Sequence, residues 1–256
     1  MATKAKDSGV IEVLEVKREV IQVNILGVSP MIQNRLPEKA RQELLLPAAP
    51  KNKADKASKV KHDPLSEYRS SIHRIRGDEA PTLVGMPATA FKAALATAAL
   101  DVPGAVKTQI GRLVYVEGET IPIYGVPQLL MSVVRCANIN RTPDIRTRAI
   151  LPSWACSLSI NYPPSLIKPQ AIINLLAAAG MSVGVGDYRA EKGKGNFGSF
   201  TLVPGDDVKW EHIAATGGRQ AQIEAMENPE PYDDDTIDLL DWFGDEASKR
   251  GIKVAA

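Results

Sequence analysis

The segment Gly184-Val185-Gly186-Asp187-Tyr188-Arg189-Ala190-Glu191-Lys192-Gly193-Lys194-Gly195-Asn196-Phe197-Gly198-Ser199-Phe200 joins an amphipathic helical pattern to a short apolar strand pattern, Phe200-Thr201-Leu202-Val203. Five glycines, three cations and three aromatics fall within its seventeen positions. Glycines this dense let the backbone take positive φ and approach another segment closely. Backbone N–H groups in such turns form concave anion sites, and Arg189, Lys192 and Lys194 add full positive charge. The composition suits a phosphate backbone, with a solvated loop as the plain alternative.

Two enzyme motifs match as strings and fail on context. Gly193-x-Gly195-x-x-Gly198 resembles a dinucleotide fingerprint, which must follow a strand and open a helix. Here the order is reversed. The same letters imitate a kinase glycine-rich loop, yet no Val-Ala-x-Lys, His-Arg-Asp or Asp-Phe-Gly follows. No Gly-Lys-Ser/Thr is present, which excludes a phosphate-binding Walker loop.

Working outward, Lys168 to Ala179 reads as a helix through Ile172, Ile173, Leu175 and Leu176, with Gly180 as its stop. Ala149 to Asn161 reads as one long core strand containing Trp154, broken by Pro163-Pro164. Upstream, Glu19 to Leu26 is a strand, and Ala88 to Leu100 is an alanine-rich helix with Phe91, Leu95 and Ala99 on one face. Thr89 and Lys92 lie in its first turns, where exposed N–H groups favour an anion.

Between these elements come short helices around Pro37 to Leu46 and Pro64 to Ile75, and a lysine-rich mobile loop over 47–63. Strands are expected at Gly111 to Val116, Ile121 to Tyr124 and Leu129 to Val134. A basic hairpin carries Arg135, Arg141, Arg146 and Arg148, a density suited to phosphate contact or to bidentate contact with base edges.

The order is strand, helix, strand, long insertion, strand, helix, glycine loop, strand. That predicts an α+β fold: a ferredoxin-like, RRM-like split βαβ core spanning 19–226. Large insertions fall at 28–80 and 117–148. Residues 1–18 form an N-terminal arm in which Val10 to Val16 alternate well enough to pair at a sheet edge. Residues 227–256 form a flexible acidic tail.

The net charge of +1 hides a division between body and tail. Residues 227–246 hold nine acids and no base; without them the chain has 31 cations against 21 anions, or +10. A basic body suits a nucleic-acid partner. The tail couples its acids to Leu239, Leu240, Trp242 and Phe243, an apolar cluster suited to a protein partner. Two cysteines give neither a metal spacing nor a disulfide framework. No metal or cofactor is expected. The absence of a signal-like start and of a long apolar run points to a cytoplasmic protein with no membrane partner.

Met86-Pro87-Ala88-Thr89-Ala90-Phe91-Lys92-Ala93-Ala94-Leu95 resembles the Pro-Gly-Ser-Ser-Leu-Lys-Gly-Ala-Leu helix start of the RAMP superfamily. Those proteins are repeat-associated RNA-binding subunits that form the backbone of CRISPR effector complexes. The loop from Gly184 to Phe200 is similar to their glycine-rich loop before the last ferredoxin-like strand. Ala88 stands where the family has glycine, and the loop is longer and more charged.

The resemblance implies single-stranded RNA or DNA as partner, RNA by preference, and self-association into a filament or oligomer along the strand. It fits an effector-type subunit or a free-standing phage-encoded relative. The binding residues it and the charge pattern imply are Thr89, Lys92, Arg135, Arg141, Arg146, Arg148, Tyr188, Arg189, Lys192, Gly193, Lys194, Gly195 and Phe197. Tyr188 and Phe197 supply faces on which bases stack. No aspartate matches the one some members use to cut RNA. His62, His73 and His212 are expected in a loop, a short helix and a late surface segment, forming no constellation. The expectation is binding without catalysis; the alternatives are an endoribonuclease of the same superfamily or an adaptor acting through its tail.

Overall fold

A computed structural model of the chain describes residues 15–36, 41, 44–45, 62–135, 142–192 and 195–251. The principal sheet has four strands, β1 (Glu19–Gly27), β5 (Tyr115–Val116), β9 (Ala155–Tyr162) and β10 (Phe200–Val203), in the spatial order β10-β1-β9-β5. All its pairs are antiparallel. Helix α2 (Ala88–Ala98) lies between β1 and β5 in the chain, and α4 (Pro169–Ser182) between β9 and β10. First and third strands are central and the second and fourth lie at the edges, the split βαβ arrangement expected from the element order.

Alternation along the strands decides which face meets the helices. In β9, Cys156, Leu158, Ile160 and Tyr162 are buried, while Ser157 is exposed and Ser159 partly so. Phe91 and Leu95 of α2, with Ile172, Leu175 and Leu176 of α4, close the core above them. Phe200 sits edge-on to Phe91 at 6.4 Å and to Trp154 at 6.3 Å. Gly180 does not stop α4, which runs on to Ser182. A Cβ there would collide with the Phe200 carbonyl oxygen, so glycine is what lets the helix lie against β10.

The opposite face of the sheet is polar at its centre, with Val20 and Tyr115 exposed on it as well. Asn24 of β1 accepts from the Ser157 hydroxyl of β9 at 2.7 Å, and Arg18 donates to Asn161 at 3.3 Å. Helix α5 (Val208–Thr216) packs against β1 and β9, and Trp210 Nε1 donates to the Cys156 carbonyl at 3.1 Å.

The run Ala149 to Asn161 is two strands. β8 (Pro143–Leu151) belongs to a second sheet with β2 (Met31–Ile32) and β7 (Gln128–Arg135), in the order β2-β8-β7. The chain turns at Pro152-Ser153 before β9 begins. Trp154 fills that corner: its Nε1 donates to the Ser29 carbonyl at 2.9 Å, and its ring lies where a Cβ on Gly27 would stand.

A third sheet joins β3 (His73–Arg74), β4 (Val84–Pro87) and β6 (Thr120–Pro122). Helix α1 (Pro64–Ser71) packs on β8; its N-cap Asp63 accepts from Ser66 N–H at 3.1 Å. His73 is therefore in a strand, not in the helix expected to reach Ile75. The first half of the strand expected over Gly111 to Val116 is the end of helix α3 (Lys107–Leu113), with only Tyr115 and Val116 paired. The expected N-terminal edge strand, the Pro37–Leu46 helix and the lysine loop lie almost wholly outside the described residues.

The acidic segment is not a flexible tail. Helix α6 (Arg219–Glu227) delivers Gln222, fully buried, into the third sheet. Its side chain accepts from Leu83 and Val84 N–H and donates to the carbonyls of Ile123, Gly125 and Gly217, all within 2.8–2.9 Å. Residues 230–232 then pair with β7: Leu129 N–H donates to Glu230 O at 2.8 Å, and Tyr232 N–H to Leu129 O at 2.9 Å.

Helix α7 (Asp234–Lys249) follows, capped by Asp233, with Asp234 and Asp235 in its first turn where the helix dipole favours them. Leu239, Leu240 and Phe243 pack on this protein's own core. Trp242 alone of the four expected partner residues is open, 57 % exposed. Among the described residues no helix is long and apolar enough to cross a membrane.

Candidate nucleic-acid interface

The glycine loop and the start of α2, read separately as binding motifs, face each other across one cleft of about 540 Å³. Thr89, Ala90 and Ala93 line one wall, and Gly184 to Asp187 with Arg189 line the other. Asn34 and His73 close an end. Pro87 precedes α2 without a side-chain cap, and no acid occupies the first turn. The dipole of α2 therefore presents its positive end to the cleft. Thr89 is exposed there, and Lys92 is half-buried one turn further on.

The loop is built as a wedge rather than as an open anion nest. Gly184, Gly186 and Gly198 take positive φ of 73°, 88° and 71°. Val185 N–H donates to Gly198 O at 2.9 Å, Asp187 N–H to Ile32 O at 2.9 Å, and Gly198 N–H to Pro30 O at 2.7 Å. Those donors are engaged within the fold, so the loop contributes shape and side chains to the cleft rather than these N–H groups. A Cβ on Gly186 would stand 2.7 Å from the Ile32 carbonyl oxygen, which explains the residue.

The cations divide into bracing and open ones. Arg148, only 5 % exposed, donates from Nη1 to Asp187 Oδ2 at 2.7 Å and from Nη2 to Ser132 Oγ at 2.9 Å. Burial pushes its pKa down, and the Asp187 carboxylate pulls the other way. Its Nε finds no partner among the described residues. Arg148 is thus a bracket between β8 and the loop, not the solvent-facing phosphate ligand expected.

Arg189 is held by Glu191 at 2.5 Å and donates to the Gly186 carbonyl at 3.1 Å. Lys192, in a 3-10 turn over Ala190–Lys192, is exposed, with Glu191 3.8 Å away. Arg135 and Arg146 are exposed on the β7–β8 hairpin. Arg141, Gly193 and Lys194 lie outside the described residues.

A second cleft of about 430 Å³ adjoins the first, with Asn34 lining both. Arg146 lines it beside His62, whose Nδ1 meets Glu67 at 2.9 Å and whose Nε2 meets Asp144 at 3.5 Å. His62 is thus held between two carboxylates rather than carried in a loose loop. His73 in the first cleft has its pKa lowered by burial, with Arg35 and Arg41 adding to the effect.

Tyr188 and Phe197 face each other with ring centroids 6.1 Å apart. Phe197 packs on Ile32, Leu130 and Ile150, whereas Tyr188 is open. Gly195 lets the strands of the loop meet, since a Cβ there would collide with the Tyr188 carbonyl oxygen.

Asn34, His73 and Asp187 were not among the residues picked out by charge or motif. Asn34 Nδ2 donates to Asp187 Oδ2 at 2.9 Å across a separation of 153 residues, a relation that no local pattern carries. Asp187 lay within the glycine segment, and its acid among cations was the one available signal.

No protein-family model and no curated protein matches the chain. Among solved structures it is similar to the crystal structure of Cmr6 from Pyrococcus furiosus, at 7% identity and a TM-score of 0.37. The alignment covers 74% of this chain and 100% of that one.

Proposed function

We propose that the cleft between α2 and the glycine loop holds a single strand of nucleic acid, RNA in preference to DNA, and that the protein binds it without cleaving it. The observation that carries this reading is the meeting of the two motifs on one groove. There the uncapped start of α2 favours a polyanion; Lys92 and Lys192 adjoin the lining residues Ala93 and Glu191 in the chain, and Arg146 lines the adjoining cleft. The excess of cations over acids outside 227–246 adds long-range attraction for the same ligand. Several copies following one strand would place the protein among strand-coating subunits.

Purification without nuclease treatment, followed by sequencing of whatever co-purifies, tests the reading. A bound population of single strands is expected, and a protein that elutes free of nucleic acid and ignores added oligonucleotides sinks it. Strand cleavage is a second reading with one observation in its favour: His73 borders the groove and burial favours its neutral, proton-accepting form. End-labelled RNA that stays intact during prolonged incubation removes it.

A further inference from the structure

Tyr188 is the single non-glycine residue with positive φ among the described residues, at φ 51°. For a bulky side chain that conformation is disfavoured, and it persists only where the surroundings hold it. Three contacts do so here. Gly195 leaves room beneath the Tyr188 carbonyl, Phe197 N–H donates to that carbonyl at 3.4 Å, and Asp187 on the preceding side is tied to Ile32.

The result is a ring 49 % exposed, on a residue flanked by Asp187 and Arg189, which both line the cleft. Phe197 backs it at a 38° tilt and is itself seated on Ile32, Leu130 and Ile150. An aromatic left open, on a backbone that disfavours it, above a packed support is a poor device for core stability. It is a good one for offering a rigid π-face to a ligand.

We infer that Tyr188, backed by Phe197, is a stacking platform for one unpaired nucleobase of the bound strand. The polar opposite face of the principal sheet makes a contrast. Gln22, Asn24, Ser157 and Ser159 occupy its centre and the half-exposed Tyr115 its β5 edge, whereas on the loop an open ring is backed by a second ring. Base–aromatic stacking tolerates any sequence, because every base has a π-face. The platform therefore adds affinity for single strands over duplexes without selecting a sequence. This rests on the strand-binding reading above.

The test compares an oligoadenylate RNA with an abasic ribose-phosphate chain of equal length. Tyr188→Asn keeps a residue that tolerates the left-handed region while removing the ring, so the fold is retained. Tyr188→Phe keeps the ring. Stacking worth about 1–3 kcal/mol corresponds to a loss of about 5- to 150-fold. Tyr188→Asn is expected to lose that much affinity for oligoadenylate and less than about 2-fold for the abasic chain, with Tyr188→Phe at wild-type affinity for both.

Equal losses on both chains, or none on oligoadenylate, overturn the inference while leaving strand binding in place. A wild-type protein that binds neither chain removes the strand-binding reading itself, and the platform with it. Thermal unfolding of each variant identifies any change that comes from the fold.

Discussion

Arg148 and Asp187 meet at 2.7 Å, a buried guanidinium from β8 held by a carboxylate on the glycine loop that is itself about one-third exposed. Removing one member of a buried pair leaves the other desolvated and uncompensated. Asp187→Asn is expected to destabilise by about 2–3 kcal/mol, below the usual 3–5 because Asp187 keeps part of its hydration. Arg148→Met with Asp187→Asn should recover much of that loss. A urea titration of the two single variants and the double variant checks it, and strict additivity would deny the coupling.

Open cations should behave otherwise. Lys192→Glu with Arg146→Glu is expected to leave the unfolding midpoint near wild type and to weaken strand binding broadly. Each lost phosphate contact lowers the salt slope by roughly 0.7. Binding isotherms at four salt concentrations measure it. An unchanged slope at unchanged stability would place the strand elsewhere.

Gln222 joins five backbone groups through one buried amide. Gln222→Leu strands Leu83 and Val84 N–H together with the carbonyls of Ile123 and Gly125, while Gly217 O keeps Gly125 N–H, for an expected cost of about 3–5 kcal/mol. Denaturant midpoints report it directly. A cost below about 1 kcal/mol would mean that water replaces the amide at those groups.

His73 makes stability depend on pH. Its folded pKa is lowered, so between that value and the unfolded value of about 6.5 the unfolded chain binds more protons. Stability therefore falls as the pH drops below about 6.5 and is fully regained above it. The difference in urea midpoint between pH 7.5 and 5.5 should shrink in His73→Gln. An identical difference in both proteins would locate the pH dependence in other groups.

Local patterns told much about the core and little about its junctions. β1, α2, α4 and β10 follow from the alternation of Val23 and Ile25, the spacing of Phe91 and Leu95, and the spacing of Ile172 and Leu176. The turn at Pro152-Ser153 hid inside an apolar run, because consecutive core strands of different sheets look like one strand. Asp233 to Asp235 read as part of a flexible tail, whereas two of them start a helix and the third caps it. The engagement of Asp187 and Gly198 N–H was invisible because their acceptors, Ile32 and Pro30, lie more than 150 residues away. The two clefts arise where those distant segments meet.

Deleting residues 228–256 tests how far the terminal segment belongs to the fold. Loss of Leu239, Leu240 and Phe243 from the core and of the Glu230–Tyr232 pairing should lower thermal stability. Cooperative unfolding at an unchanged midpoint would return the segment to the role of a detachable tail.

The pairing of β7 with the terminal segment also sets an order of events during synthesis. Met131 N–H donates to the Thr236 hydroxyl at 3.2 Å across 105 residues of chain. At about 5–20 residues per second, that edge of the nascent strand leaves the ribosome roughly 5–20 s before its cover is made. An uncovered strand edge is a template for pairing with other chains. Ribosome stalling or premature termination after residue 151 would release a hairpin whose outer edge has nothing to close it, and the quality-control burden of this protein should concentrate on such fragments.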